Sequence, residues 1–333
     1  MHDSKDAAMF DRRQFLSSTV VGAAAFAGVA RGALAAPDWR PTRAVTIYVP
    51  AAGGGATDVH ARFLADRASR ILGQPFIVES RPGAGTTLPG ATVATSRPDG
   101  HALAIVLPNA YRMPHMQPTA WHPIRDFEYV CGLSLYTFGL LAHKDSAWKN
   151  IEEVIAAGKG APGKYTVGTA GNGTTGHLAL IELERLTGAK FLHVPYKGMA
   201  DTSRALMARD VDFILEAGSV VQNAFQGMYK LLAIVDEEPS PALPGIPTLR
   251  QKGWEVVAWS SYGLVARKGT PESAVRALHA AFDEAMNAPE HDALMDKLVT
   301  RRWKLGPREY AAWAEKYFRE MKPLLVRAGL AAA

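Results

Sequence analysis

The sequence predicts an α/β protein of two similar lobes, and three observations carry that prediction. From Val45 onward, short β-branched or aromatic runs alternate with amphipathic stretches, the pattern of strands and helices around a largely parallel sheet. A strand, a glycine loop, a helix and a strand opening on Phe occur in that order once in each half of the chain, around Gly53–Gly55 and around Gly171–Gly173. The 333 residues are 48% hydrophobic and 21% charged, which is enough apolar material for one large core or two medium ones.

The first 36 residues read as an export signal. Arg12 and Arg13 precede Phe15 and Leu16, a mild Ala/Gly-rich apolar stretch follows over 20–30, and Ala33-Leu34-Ala35 forms a small-x-small cleavage site. Paired arginines ahead of a weakly apolar core resemble a twin-arginine signal. That stretch is shorter than the roughly 20 residues a bilayer span needs, so a membrane anchor is the weaker reading.

After the signal, "AVTIYVP" reads as a strand and 57–72 as a helix with Val59, Phe63 and Leu64 on one side. Thr57 fits the N-cap of that helix, with Asp58 in the first turn where its charge suits the helix dipole. "PFIVES" is the next strand, and "HALAIVLP" follows a Pro-Asp-Gly turn. The second unit has a strand at 165–167, a loop through Gly173, a helix ending at Thr187 with Gly188 as stop, and a strand at 191–194. "VDFIL" is a further strand and "EEPSPALPGIPTL" a Pro-rich connector. "GWEVVAWSSYGLVARKG" is a strand pair or one long strand, and helices at 271–287, 291–298 and 307–328 return to cover the first lobe.

Composition excludes several kinds of chemistry. The net charge of +5 comes from scattered cations, which argues against a nucleic-acid surface. Cys131 is the single cysteine, so an intramolecular disulfide is ruled out, and its apolar setting reads as an inert buried thiol. The ten histidines show no metal-binding spacing, and no cofactor is expected. "GGGATD" lacks the Gly-Lys-Ser/Thr ending of a nucleotide loop, and "GTAGNG" is only a weak dinucleotide fingerprint. His177 has no G-x-S-x-G partner, so it reads as a capping or packing histidine, and a secreted α/β hydrolase is the lesser alternative.

The glycine loops themselves suggest anion binding. At a strand-to-helix turn the first N–H groups of the helix lack intrahelical partners and face the incoming group. In open α/β sheets ligands bind beyond the carboxyl ends of the strands, so both loops are expected at one cleft. Glu216, which ends "VDFIL", and Tyr196-Lys197, which follow a strand in the same way, are placed at that cleft too.

In sequence order, "GGGATD", "LGQPFIVESRPGAG", "PDGHALAI", "YTVGTAGNGTTGHLA", "HVPYKG", "ARDVDFILE", "LPGIPTLRQKGWE" and "KGTPESAVRAL" resemble the Bug-type periplasmic receptors of tripartite tricarboxylate transporters, over about 42–330. The resemblance implies a type II periplasmic-binding-protein fold, with lobe 1 formed by 37–138 plus 260–333 and lobe 2 by 139–259. It implies a monomeric periplasmic receptor, not an enzyme, that takes up a small carboxylate for a membrane permease or, alternatively, signals to a membrane kinase. It also implies that loops 49–58 and 168–177 hold one ligand carboxylate through backbone N–H groups and water. The residues concerned are Ala51, Ala52, Gly54, Gly55, Thr57 and Asp58 in the first loop, and Thr169, Ala170, Gly171, Asn172, Gly173, Thr174, Thr175 and His177 in the second. Tyr196, Lys197 and Glu216 complete the expected site.

Two departures from the family pattern bear on the ligand. Ala51 and Gly53 stand where the family carries an aromatic residue and a proline, and Glu216 stands where it usually has Asp. Space at the first loop predicts an aromatic or otherwise bulky acid, and Glu216 is expected to place negative charge at the far end of the cleft.

Overall fold

A computed structural model describes residues 39–258 and 260–332. The expected export signal and its cleavage site lie outside the described residues. Two sheets organise the remainder. The first has the order β11-β4-β10-β3-β1-β2, with β1 (Val45–Val49), β2 (Phe76–Ser80), β3 (Ala102–Val106), β4 (Phe127–Tyr136), β10 (Ser261–Arg267) and β11 (Thr300–Leu305). The second has the order β7-β6-β8-β5-β9, with β5 (Phe138–His143), β6 (Thr166–Thr169), β7 (Leu192–Pro195), β8 (Phe213–Ala217) and β9 (Tyr229–Ile234). The helices are α1 (Ala56–Leu72), α2 (Leu88–Ala94), α3 (Asn109–Met116), α4 (Pro123–Asp126), α5 (Ile151–Gly160), α6 (Thr175–Thr187), α7 (Met199–Ala208), α8 (Ser219–Phe225), α9 (Glu272–Met286), α10 (Pro289–Lys297) and α11 (Pro307–Arg327).

The repeated unit folds as the sequence predicts. In β1 the alternate residues Val45, Ile47 and Val49 are fully buried, and β1 pairs in parallel with β2 on one side and β3 on the other. Helix α1 is the crossover between β1 and β2. Its apolar face, including Leu64 and Ala68, joins a core that also holds Leu278 and Phe282 of α9, and each fully buried Leu or Phe there contributes roughly 1.5–3 kcal/mol. Gly73 and Gly188 end α1 and α6 in the left-handed conformation, both at φ 74°, where a residue without Cβ carries no steric penalty.

Three expectations need correction. The sheets are mixed, not largely parallel: β10 runs antiparallel to β3 and β4, and β5 antiparallel to β8 and β9. The chain passes between the sheets at Thr137, the one residue separating β4 from β5, and returns into β10, so strands arriving from the other sheet run against their new neighbours. In place of the strand pair or one long strand expected after the Pro-rich connector there is one shorter strand, because only Ser261–Arg267 is paired and 254–258 is irregular. Finally, Gly55 and not Thr57 occupies the N-cap of α1. Thr57 lies inside the helix, and its hydroxyl bonds the Tyr136 hydroxyl.

Candidate functional site

The second glycine loop is built to bring a helix start against a strand end. Gly171 (φ 130°) and Gly173 (φ 69°) adopt backbone conformations that side-chain-bearing residues rarely reach. The loop is tied to itself: Thr174 Oγ1 donates to the Gly171 carbonyl at 2.7 Å, and the Gly173 N–H donates to His177 Nδ1 at 3.1 Å. A Cβ at Gly176 would lie 2.4 Å from the Leu215 carbonyl oxygen, so only glycine lets the first turn of α6 press this closely on β8. The unpartnered N–H groups of that turn therefore arrive at the carboxyl end of β8.

His177 acts as a brace. Its ring stacks on His193 with centroids 3.8 Å apart and planes 8° from parallel. Burial, assisted by the neighbouring His193, pushes it down to about 4, so at neutral pH Nδ1 is free to accept the Gly173 N–H. His193 in turn bonds Thr169 Oγ1 at 2.7 Å.

A pocket of about 50 Å³ opens where these elements meet. Ala170, Thr174, Thr175 and Gly176 line it from the second loop and α6, and Glu216 and Ala217 from β8. Tyr136, Phe138 and Ser260 line it where the chain crosses between the sheets, Thr86 comes from the connection after β2, and Asn109 opens α3. Its walls thus combine residues attached to both sheets.

Glu216 corrects the electrostatic expectation. It is 1% exposed, and burial pushes its carboxyl up to about 8, against hydrogen bonds from the Thr202 hydroxyl and the Ala170 and Ala217 N–H groups. Burial therefore favours the neutral acid at neutral pH, against the negative charge expected from sequence. Among the described residues Glu216 Oε1 has no hydrogen-bond partner, and neither does the buried Asn109 Oδ1. The Asn109 amide donates to the Gly85 carbonyl. Two buried, unpartnered oxygens on one small pocket are ready to meet polar groups of a ligand.

No residue of the first glycine loop is among these walls, although the start of α1 touches Tyr136. Ala52 and Gly54 are exposed, Gly55 is half-buried and Ala51 is buried, but none lines the pocket. Asp58 is committed to the loop itself, accepting from the Gly54 N–H and from Arg62 Nε, both at 2.9 Å. Burial opposes its ionisation, yet the bonds from Arg62 and Gly54 hold its carboxyl below the usual carboxylate range. Thr57 reaches the site indirectly, through Tyr136. Thr169, Gly171, Asn172, Gly173 and His177 form the loop behind the pocket wall, while Tyr196 is half-buried near Gly168 and Gly171 and Lys197 is exposed. Of the residues expected from sequence, Ala170, Thr174, Thr175 and Glu216 therefore line the pocket. Thr86, Asn109, Tyr136 and Ser260 were not expected there. Asn109 had a usable signal, since "VLPNA" places it just past the carboxyl end of a strand.

Residues 60–330 match the family model described as the tripartite tricarboxylate transporter family receptor. A Cupriavidus necator protein described as "UPF0065 protein in gbd 5'region" is 37% identical over 97% of this chain and 99% of its own. Among solved structures, an R. palustris protein with adipate has TM-score 0.82 and 25% identity, covering 88% of this chain and 99% of its own. MatC from Rhodopseudomonas palustris with bound malate has TM-score 0.77 and 28% identity, covering 86% and 99%.

Proposed function

Because the chain belongs to the tripartite tricarboxylate transporter receptor family, whose members are solute-binding receptors and not enzymes, we propose that it binds a small organic carboxylate in the periplasm, closes around it and delivers it to a membrane permease. The observation that carries this reading is the pocket at the start of α6. It is walled from both sheets, and no Lys or Arg is among its lining residues. A helix N-terminus supplies the positive end of a dipole there, enough to hold a carboxylate without a cationic side chain. The adipate and malate carried by the R. palustris relatives are of the same chemical class. Neutral Glu216 leaves room for a second carboxylate, which a charged one would repel.

In this reading lobe 1 comprises 37–138 with 260–333, lobe 2 comprises 139–259, and ligand stabilises the closed arrangement of the two. The first loop, 49–58, approaches the ligand by backbone and water, and the second through the α6 amides. An aromatic or bulky acid draws no support from Ala51, which lies outside the pocket lining. At about 50 Å³ the pocket admits such a ring only if the lobes part further.

Calorimetric titration of linear, hydroxylated and aromatic acids, each beside its primary amide, tests the proposal. Hydrogen bonds to charged groups are worth about 1.5–3 kcal/mol, so each amide should bind at least about tenfold more weakly than its acid. Equal affinity for acid and amide would refute recognition of the carboxylate.

A further inference from the structure

A second concavity, unlike the first in size and chemistry, runs between α6 and α11. Its volume is about 650 Å³, within the roughly 300–1,000 Å³ typical of small-molecule sites. It shares only Thr175 with the small pocket. One wall carries Trp303, Trp313, Tyr317, Met321 and Leu324, with Trp313 stacked on Tyr317 at 4.8 Å and 16°.

Arg112 stands among the lining residues and is 3% exposed. It donates to Thr175 Oγ1 at 3.0 Å, to the Gly173 carbonyl at 3.3 Å and to the Tyr317 hydroxyl. All three acceptors are neutral, and among the described residues its buried Nε has no partner. Among the described residues no carboxylate pairs with it. Buried charges are ordinarily paired, because desolvation is costly. The two carboxylates along the groove already face cations: Glu182 bonds Arg185 at 2.5 Å, and Glu320 lies 3.9 Å from Lys316. Arg327 adds a further cation to the lining, leaving the groove with an excess of positive charge.

We propose that this groove is a second binding site, for an amphipathic organic anion whose apolar body lies on the Trp303–Trp313–Tyr317 wall and whose head is drawn by Arg112. The sulfonate dye 8-anilino-1-naphthalenesulfonate and its uncharged counterpart N-phenyl-1-naphthylamine are suitable probes. Energy transfer from the tryptophans lining the groove reports occupancy. The sulfonate should bind one per chain, at least about tenfold more tightly than the neutral dye. Leu324 is 38% exposed, so Leu324→Glu adds a charge to the groove without burying one. It should weaken sulfonate binding at least about tenfold with an unchanged thermal melt. Arg112→Gln should remove the preference for the charged dye. Equal binding of the two dyes, or no response to Leu324→Glu, would overturn the proposal. So would a concentration-dependent dimer in sedimentation that excludes the probe, because a second copy of the chain would then fill the groove.

Discussion

Replacing Glu216 by Gln should change how stability depends on pH far more than it changes stability in mild acid. Glu216 is 1% exposed, and burial raises its carboxyl from an ordinary 4.5 to about 8. Between those two values the unfolded chain has released the proton while the folded chain retains it. Stability therefore falls as pH rises through the window, at about 1.4 kcal/mol per pH unit. The penalty is absent below about 4.5 and complete above about 8, where it accumulates to roughly 5 kcal/mol. Gln has nearly the same shape and no proton to lose. Urea unfolding followed by tryptophan fluorescence at pH 5, 6, 7 and 8 should show the variant gaining on wild type by on the order of 4 kcal/mol across the series. Near-equal stability is expected at pH 5, where both side chains are neutral. Parallel curves would refute the reasoning, since they would mean that Glu216 ionises in the folded protein as readily as in the unfolded chain.

Acid should destabilise the protein from the opposite direction: fully buried His60 bonds Tyr262 at 2.8 Å and His291 at 2.9 Å, and burial with the charge of His291 pushes it down to about 3. Its contribution is complete above about 6.5 and is lost as pH falls toward 3, so melting curves should drop through that range and His60→Gln should flatten the drop; an unaltered acid limb would count against the assignment. For export, Arg12→Lys with Arg13→Lys should hold the precursor in the cytoplasm, and mass spectrometry of exported wild type should show a start near Ala36 or Pro37. A normal yield of processed double variant would exclude the twin-arginine route.

The parts of this fold that announce themselves in sequence are local. Val45, Ile47 and Val49 alternate with less buried neighbours because β1 has helices and core beneath it, and Gly73 and Gly188 mark helix ends because left-handed backbone disfavours other residues. The expected lobe boundary between 138 and 139 came from the family resemblance, because the crossing at Thr137 carries no local signal of its own. Both β4 and β5 are buried almost throughout, so the run shows no alternation, and no turn residue marks the change of sheet. Strand β11, "TRRWKL", alternates poorly and is rich in cations, as suits an edge that must not pair further. In the site, Ala170, Thr174 and Thr175 were readable because a glycine loop and a helix start are local features. Thr86 and Asn109 reach the same pocket from distant segments, and Glu216 showed its position but not its protonation, which depends on burial by the whole fold. Thr57 is not a cap because the helix already starts at Ala56, and its hydroxyl is left to bond Tyr136, far along the chain.

The order of strands in the first sheet has a consequence for how the chain emerges during synthesis. Strand β10 lies between β3 and β4, yet it is made after the whole of the second sheet. A nascent chain that stops short of Ser261 has nothing to place between β3 and β4, and both keep an open edge. The strands of the second sheet are drawn entirely from 138–234, so its ladder is made before β10. Strands β1, β2 and β3 can pair with one another as soon as they are made, whereas β4 and the outer edge of β3 wait for β10. During that interval the exposed edges of β3 and β4 are the surfaces most open to mispairing. In the finished protein the two ends of the inserted segment are held together where the Tyr136 N–H donates to the Ser260 carbonyl at 3.0 Å, a bond that forms only once the waiting is over.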